Sequence, residues 1–327
     1  MNDYGLSVLE QYGLHAKSVS RGRGILICDT EEGIKAISPC HGSEAKLQIQ
    51  FDIQSHCQMS GFKYVDQVIK NQEEKVLSKD DEENVYIVRN WFLGKECDTR
   101  SWENVLECVS VMAKLHQTMC MERPEMIHSS DLAEECKRHN RELRKIRKYL
   151  QKKKKRNEFE EIMLKSISQV IEQGEKTVEG MENAGYQQLL LDNQTQICHG
   201  ECTQHNFLFF RDGIAVTNFE HWNWGLQIAD ISQFMRKILE KHQWNLELGR
   251  EMLRNYQKEK KLSESELQNM ILLLSYPWKY WKMANFYANN NKVWISRKNV
   301  EKLNKTISLW EPWSDFLSNV LLSRKEP

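Results

Sequence analysis

The hydrophobic pattern changes period along the chain. After a short amphipathic opening with Leu6, Val8, Leu9 and Tyr12, residues 15–20, 24–29 and 33–38 read as three strands. They are separated by Arg21-Gly22-Arg23-Gly24 and Thr30-Glu31-Glu32-Gly33, both rich in turn formers, which predicts an antiparallel meander. Residues 43–60 then place Leu47, Phe51 and Ser55 on one helical face, with Ser43 suited to cap the N-terminus. Residues 74–79 and 85–91 return to strand character around the charged turn 80–84, so the predicted order is β-β-β-α-β-β.

From Ser101 onward the period is helical, with Val105, Val109, Met112 and Leu115 at helix spacing. Residues 129–185 predict one or two long helices carrying Leu143, Ile146, Leu150, Phe159, Met163, Ile167, Val170 and Ile171, a hairpin-like insertion. Within 196–236 strand character returns at 207–210 and 214–217, turned by Arg211-Asp212-Gly213. The fold class is therefore α+β. A small β-rich part, residues 1–91 with its helix at 43–60, precedes a mainly helical part, 92–327, that contains the 129–185 insertion and the 196–236 segment.

Composition narrows the choice. Gly 15 and Pro 5 in 327 residues are too few for a sandwich, a propeller or a disordered linker. A formal net charge of zero gives no global field toward membranes or nucleic acid, and neither is expected as a partner. Nine cysteines without framework spacing suit a reducing compartment. With no signal-peptide pattern and no apolar run of membrane-spanning length, an intracellular protein is expected. One local feature stands out: between Lys137 and Arg156 twelve Lys/Arg face the single acid Glu142, which is either a solvated helix face or a seat for an anionic partner. Cys198, His199, Cys202 and His205 are zinc-compatible residue types without the spacing of a knuckle or finger. Trp278, Trp281, Tyr287 and Trp294 are aromatic enough for a quaternary-ammonium cage, but the helical spacing of Trp278 and Trp281 points to core packing.

Several longer words occur in a fixed order: Ser20-Arg21-Gly22-Arg23-Gly24, Gly42-Ser43-Glu44, residues 91–98 (Trp-Phe-Leu-Gly-Lys-Glu-Cys-Asp), Ala113-Lys114-Leu115-His116, His199-Gly200-Glu201 with His205-Asn206, Tyr276-Pro277-Trp278-Lys279, and Asn285-Phe286-Tyr287. Over nearly its whole length the chain resembles the aminoglycoside phosphotransferase and choline kinase superfamily, and within it the CotS-type spore coat proteins. The resemblance implies a protein-kinase-like bilobal fold with ATP between lobes and its adenine against the backbone near Val88 to Trp91. It also implies a nucleotide side formed by Gly22, Gly24, Ser38, Glu44, Val88 and Asn90.

Phosphoryl transfer needs a cation on the phosphates, a carboxylate near the attacking hydroxyl, and metal ligands. By resemblance Ser38 stands where a third-strand lysine is expected, Glu201 where the loop aspartate is expected, and Asn218 where a metal-binding aspartate is expected. Asn206 matches the second metal ligand, His199 and Asp230 match positions that brace the loop, and Glu201 or Glu220 is the available substitute carboxylate. A serine carries no charge, a glutamate displaces its carboxylate by about 1 Å, and an amide is a poorer Mg²⁺ ligand than a carboxylate. The expectation is a catalytically impaired kinase-fold spore coat protein that binds other coat proteins, or an anionic partner at 137–156, without a cofactor. The alternatives are an active ATP- and Mg²⁺-dependent small-molecule phosphotransferase with Glu201 as base, and a nucleotide-binding switch without transfer.

Overall fold

The structure is a computed structural model that describes residues 5–290 and 296–322. The chain divides into two compact units, Met1–Met121 with Ile197–Asn223, and Glu122–Gln196 with Trp224–Pro327.

The first unit opens with a 3₁₀ helix, Leu6–Tyr12, and continues through β1 (Ala16–Arg21), β2 (Leu26–Thr30), β3 (Gly33–Pro39), α1 (Glu44–Met59), β4 (Ser78–Lys79) and β5 (Val85–Asn90). These strands form one antiparallel sheet in the order β1-β2-β3-β5-β4. Register assigns the faces, because side chains opposite one another in a sheet share a side. Ile37 pairs with Leu26 and Val88, and this face packs with Val8, Leu9, Leu14 and Cys28 into a core under the 3₁₀ helix. Ala36 lies opposite Arg89 and Ser38 opposite Ile87, and on this side Ile87 packs with Leu47 of α1, Val68 and Val76. The strand expected over 74–79 shrinks to two residues. The Asn71 side-chain oxygen accepts from the N–H groups of Glu73 and Lys75 at 3.0 Å each, closing a tight turn in which Glu74 takes φ 61.

β6 (Lys95–Glu96) leads to α2 (Trp102–Thr118), capped by Ser101, with Val105, Val109, Met112 and Leu115 buried as the pattern predicted. After the second unit intervenes, β7 (Ile197–Cys198) returns to the first and its Ile197 N–H donates to Met119 O at 2.9 Å. The hairpin of β8 (Phe207–Phe210) and β9 (Gly213–Val216) follows, with β6 paired to β8, the central strand of the three.

The second unit is helical. The expected insertion is two helices, α3 (Leu132–Lys152) and α4 (Glu158–Asn183), followed by α5 (Tyr186–Asp192), α6 (Ile228–Leu239), α7 (Leu246–Glu259), α8 (Glu264–Leu274), α9 (Trp278–Asn289), α10 (Arg297–Ser308) and α11 (Trp310–Leu322). Asp131 caps α3 by accepting from Ala133 and Glu134, and Asn157 with Glu160 forms a reciprocal capping box on α4. The apolar positions predicted from 143 to 171 meet Tyr280, Ala284 and Tyr287 of α9 and Val300 and Leu303 of α10 in one core. Trp278 Nε1 donates to Leu273 O at 3.1 Å, while Trp281 Nε1 donates to Glu142 and its ring stacks on His139 at 3.4 Å. Burial, with Arg138 and Lys282 nearby, holds His139 down at about 4, so a neutral imidazole stacks there. Trp294 lies outside the described residues. No helix among the described residues is long and apolar enough to cross a membrane. All nine cysteines are free thiols, and seven of them are buried.

Candidate functional site

Five short pieces of the first unit converge: the end of β3, β5, the loop after α1, and the two stretches 199–206 and 217–221. Ser38, the penultimate residue of β3, is buried and its hydroxyl carries no charge. The charge comes from the neighbouring strand. Arg89 of β5, only 2% exposed, places Nη2 3.5 Å from Ser38 Oγ and Nη1 3.0 Å from Asp66 Oδ2. The same Asp66 oxygen accepts the Asn218 N–H at 2.8 Å, and Gln54 of α1 donates to Asp66 Oδ1 at 3.2 Å. Complete burial pushes the Asp66 carboxyl up to about 6, against the opposing pull of Arg89 and of the Asn218 N–H. Glu220 Oε1 stands 3.9 Å from Arg89 Nη1, a longer and more exposed contact, and Arg89 Nε has no acceptor among the described residues. Lys46 of α1 donates to Glu220 O at 2.9 Å and so ties α1 to this stretch.

Below it the loop scaffold is complete. Glu201 N–H donates to His199 Nδ1 at 3.3 Å, which makes His199 a neutral ring whose Nε2–H donates to Thr217 O at 3.0 Å. Asn206 Nδ2 donates to Glu201 O at 2.7 Å, and Thr217 N–H donates to Asn206 O at 2.9 Å. Gly200 has φ +82, and a Cβ there would lie 1.9 Å from His221 O, so only glycine fits. Asn218 is itself left-handed at φ 71, a conformation that asparagine tolerates better than most residues. The Glu201 carboxylate is half-exposed and faces His221 Nε2 at 3.2 Å.

The structure thus brings Ser38, His199, Glu201, Asn206, Asn218 and Glu220 into the same unit, Asn218 and Glu220 reaching Arg89 and Asp66, and the rest forming the loop scaffold. The other expected positions are placed differently. Gly22 and Gly24 are exposed in the β1–β2 turn, closed by Gly22 N–H to Ile25 O at 2.9 Å, and Glu44 is the exposed first residue of α1. Val88 points into the opposite core and its carbonyl accepts from Ile69 N–H at 2.9 Å. Asn90 donates its N–H to Gln67 O and accepts from Lys35 Nζ, each at 2.9 Å. Asp230 belongs to the second unit, buried in the first turn of α6. Mg²⁺ in phosphate sites leans on carboxylates, whereas Asn206 and Asn218 offer amides and Glu220 faces a guanidinium. No three His, Cys, Asp or Glu side chains among the described residues gather as a metal set, and this donor group fits Mg²⁺ poorly. Arg89, Asp66, Lys46 and His221 were not singled out by the sequence pattern. The available signal was a lone charge on an otherwise inward-facing position of a central strand, Arg89.

A five-stranded antiparallel sheet with one helix after its third strand, a His-Gly loop held by a following hairpin, and a larger helical part define the protein-kinase-like phosphotransferase class. Within it, the chain belongs to the family described as "Spore coat putative kinase YutH", which matches residues 6–320. No curated protein matches the sequence. Among solved structures, an aminoglycoside phosphotransferase from Alicyclobacillus acidocaldarius superposes with TM-score 0.85 at 16% identity, over 97% of this chain and 95% of that one. The spectinomycin phosphotransferase APH(9)-Ia in complex with ADP and spectinomycin gives TM-score 0.62 at 13% identity, covering 94% and 93%. A choline kinase from Cryptosporidium parvum gives 0.54 at 13%, covering 96% and 92%. At such identities the likeness shows the fold.

Proposed function

We propose that this chain is a kinase-fold coat protein that has lost phosphoryl transfer and acts by binding other coat components. The observation that carries the reading is the Arg89–Asp66 pair. The cation nearest Ser38 is already committed to a buried carboxylate, which also holds the Asn218 backbone. Drawing Arg89 away to a nucleotide phosphate would strand Asp66, a cost of about 3–5 kcal/mol that weakens phosphate binding by more than about a hundredfold. The Val88 carbonyl and Asn90 N–H, the backbone groups nearest the expected adenine position, also have partners within the unit. Asn218 and Glu201 in place of two aspartates point the same way, and the intact His199–Thr217 and Asn206–Glu201 bonds serve the loop's shape whether or not chemistry occurs.

The test is the thermal midpoint titrated with ATP, with and without Mg²⁺, because a ligand at about 100 times its Kd adds about 2.7 kcal/mol to a fold it alone recognises. The expected result is no shift at millimolar nucleotide. A rise that grows with Mg²⁺ would instead support a phosphotransferase with Glu201 as base, and a rise indifferent to Mg²⁺ a nucleotide-binding switch.

A further inference from the structure

The second unit carries a charged face that its own fold does not neutralise. On α3 the buried positions Cys136, Leu143, Ile146 and Leu150 face the core. Along its sides Lys137 pairs with Glu134 and Glu182, and Arg144 with Glu175. Arg138 pairs with Glu135 and Glu142, and Arg147 is half-buried; Arg141, Lys145, Lys148 and Lys152 are the exposed cations of α3 without an ion pair among the described residues, at spacings of four, three and four. That spacing is one helical stripe, about 16 Å long at 1.5 Å per residue. Lys154 and Lys155 extend it into the turn before α4. Like charges on adjacent turns repel by a few tenths of a kcal/mol each, so the face costs stability until an anionic surface covers it.

The sequence itself holds a match. Residues 80–83, Asp-Asp-Glu-Glu, are its longest acidic run, and they form the β4–β5 turn of the first unit. Asp81, Glu82 and Glu83 are exposed. Asp80 shapes the turn by accepting from Glu82 N–H and Asn84 N–H at 2.9 Å each, and hydrogen bonding from the Asn84 side chain holds its carboxyl below the usual range. Among the described residues Glu83 alone of the four has a cation, Lys79 at 2.5 Å. The turn therefore projects a fixed cluster of carboxylates about 10 Å long, shorter than the stripe and opposite in sign. A molecule of zero net charge has no overall repulsion to keep copies apart.

We infer that this chain associates with itself head to tail, the α3 stripe of one copy receiving the 80–83 turn of the next. The two surfaces differ, so the contact is heterologous and propagates into open chains unless it closes into a ring. The inference does not depend on the nucleotide reading, since neither surface includes a site residue.

Sedimentation velocity of the full chain tests it at low and near-physiological salt, where the screening length falls from about 30 Å at 0.01 M to about 8 Å at 0.15 M. The expected result is concentration-dependent association at low salt that weakens at least about tenfold at the higher salt. Lys145→Glu with Lys148→Glu should leave a monomer, and so should Asp81→Lys with Glu82→Lys. All four changes in one chain exchange the signs, restore zero net charge, and should restore association. A wild type monomeric at low salt, or pair variants that associate as the wild type does, overturns the proposal. Capture of polyglutamate or single-stranded DNA by the stripe, with the protein alone remaining monomeric, also overturns it in favour of a foreign polyanion.

Discussion

Replacing Arg89 by Met is expected to lower the unfolding free energy of the first unit by about 3–5 kcal/mol, because it leaves a fully buried carboxylate without its counter-ion. Met resembles the arginine stem in volume, so most of the loss comes from the stranded charge rather than from a cavity. The loss should depend on pH in a defined direction. The Asp66 carboxyl lies at about 6 when folded, above its unfolded value, so the folded state binds that proton more tightly. Its contribution is full at low pH and is lost as pH rises through 6. Without Arg89 the carboxyl is driven higher still, so the deficit should be smaller at pH 5 than at pH 8 in urea unfolding. Adding Asp66→Asn removes the charge while keeping an acceptor oxygen for one of its two donors, Gln54 Nε2 or the Asn218 N–H, and the double variant should recover a large part of the loss at pH 8. A deficit equal at both pH values, or not relieved by Asp66→Asn, would assign the effect to packing.

The second large effect is expected at Glu160. This fully buried carboxylate accepts from Lys153 Nζ at 2.5 Å, Tyr287 OH at 2.5 Å and Asn157 N–H at 3.0 Å, which joins the start of α4 to α9. Burial pushes its pKa upward, but the bonds from Lys153, Tyr287 and Asn157 outweigh that and hold it below the usual glutamate range. Glu160→Ala removes three acceptor bonds, leaves the Tyr287 hydroxyl buried without its acceptor, and opens the capping box. A loss of about 3–5 kcal/mol is expected for the second unit. Glu160→Gln keeps the shape and part of the bonding and should cost about half of that. For the wild type the sign is opposite to that of Asp66. The depressed pKa gives stability that is present above the unfolded value near 4.3 and lost as pH falls through the folded one. Denaturant titrations of both variants from pH 7 down to 2 check this, since the gap between wild type and Glu160→Ala should hold to about pH 5 and narrow below it.

Both residues mark where reading from the sequence stopped. The order of strands and helices followed from period and turn chemistry, because β2 and β3 send alternate side chains to two faces, the Gly-containing turns mark where the more exposed β1 ends, and the long helices carry one continuous apolar stripe. The loop words around 199 and 206 stood out as motifs, although the bond from His199 to Thr217 spans 18 residues that no local pattern connects. Arg89 and Asp66 are different. They lie 23 residues apart, and their meeting depends on the β3–β5 register that sets Arg89 opposite Ala36 and on a loop geometry that no local pattern encodes. For the same reason the cation beside Ser38, Arg89 on the neighbouring strand, was out of reach of a local pattern. The 74–79 segment misled because strand propensity there was overridden by one side chain, Asn71, folding the backbone around itself. Glu160 was visible only as one acid among several at a helix start.

The free thiols are distributed in a way that makes the protein its own reporter. Eight of the nine cysteines belong to the first unit, and Cys136 is the single thiol of the second. Cys40 and Cys120 are part-exposed, whereas Cys28, Cys57, Cys97, Cys108, Cys198 and Cys202 are buried, with burial raising the Cys57 thiol to about 11. A thiolate reagent therefore modifies two sites on the intact chain and reaches the others only when the surrounding structure opens. Opening of the helical unit adds one adduct, and opening of the sheet unit adds six. A single mass spectrum taken along a labelling time course would then resolve the two lifetimes from one another, without a probe being engineered into either unit.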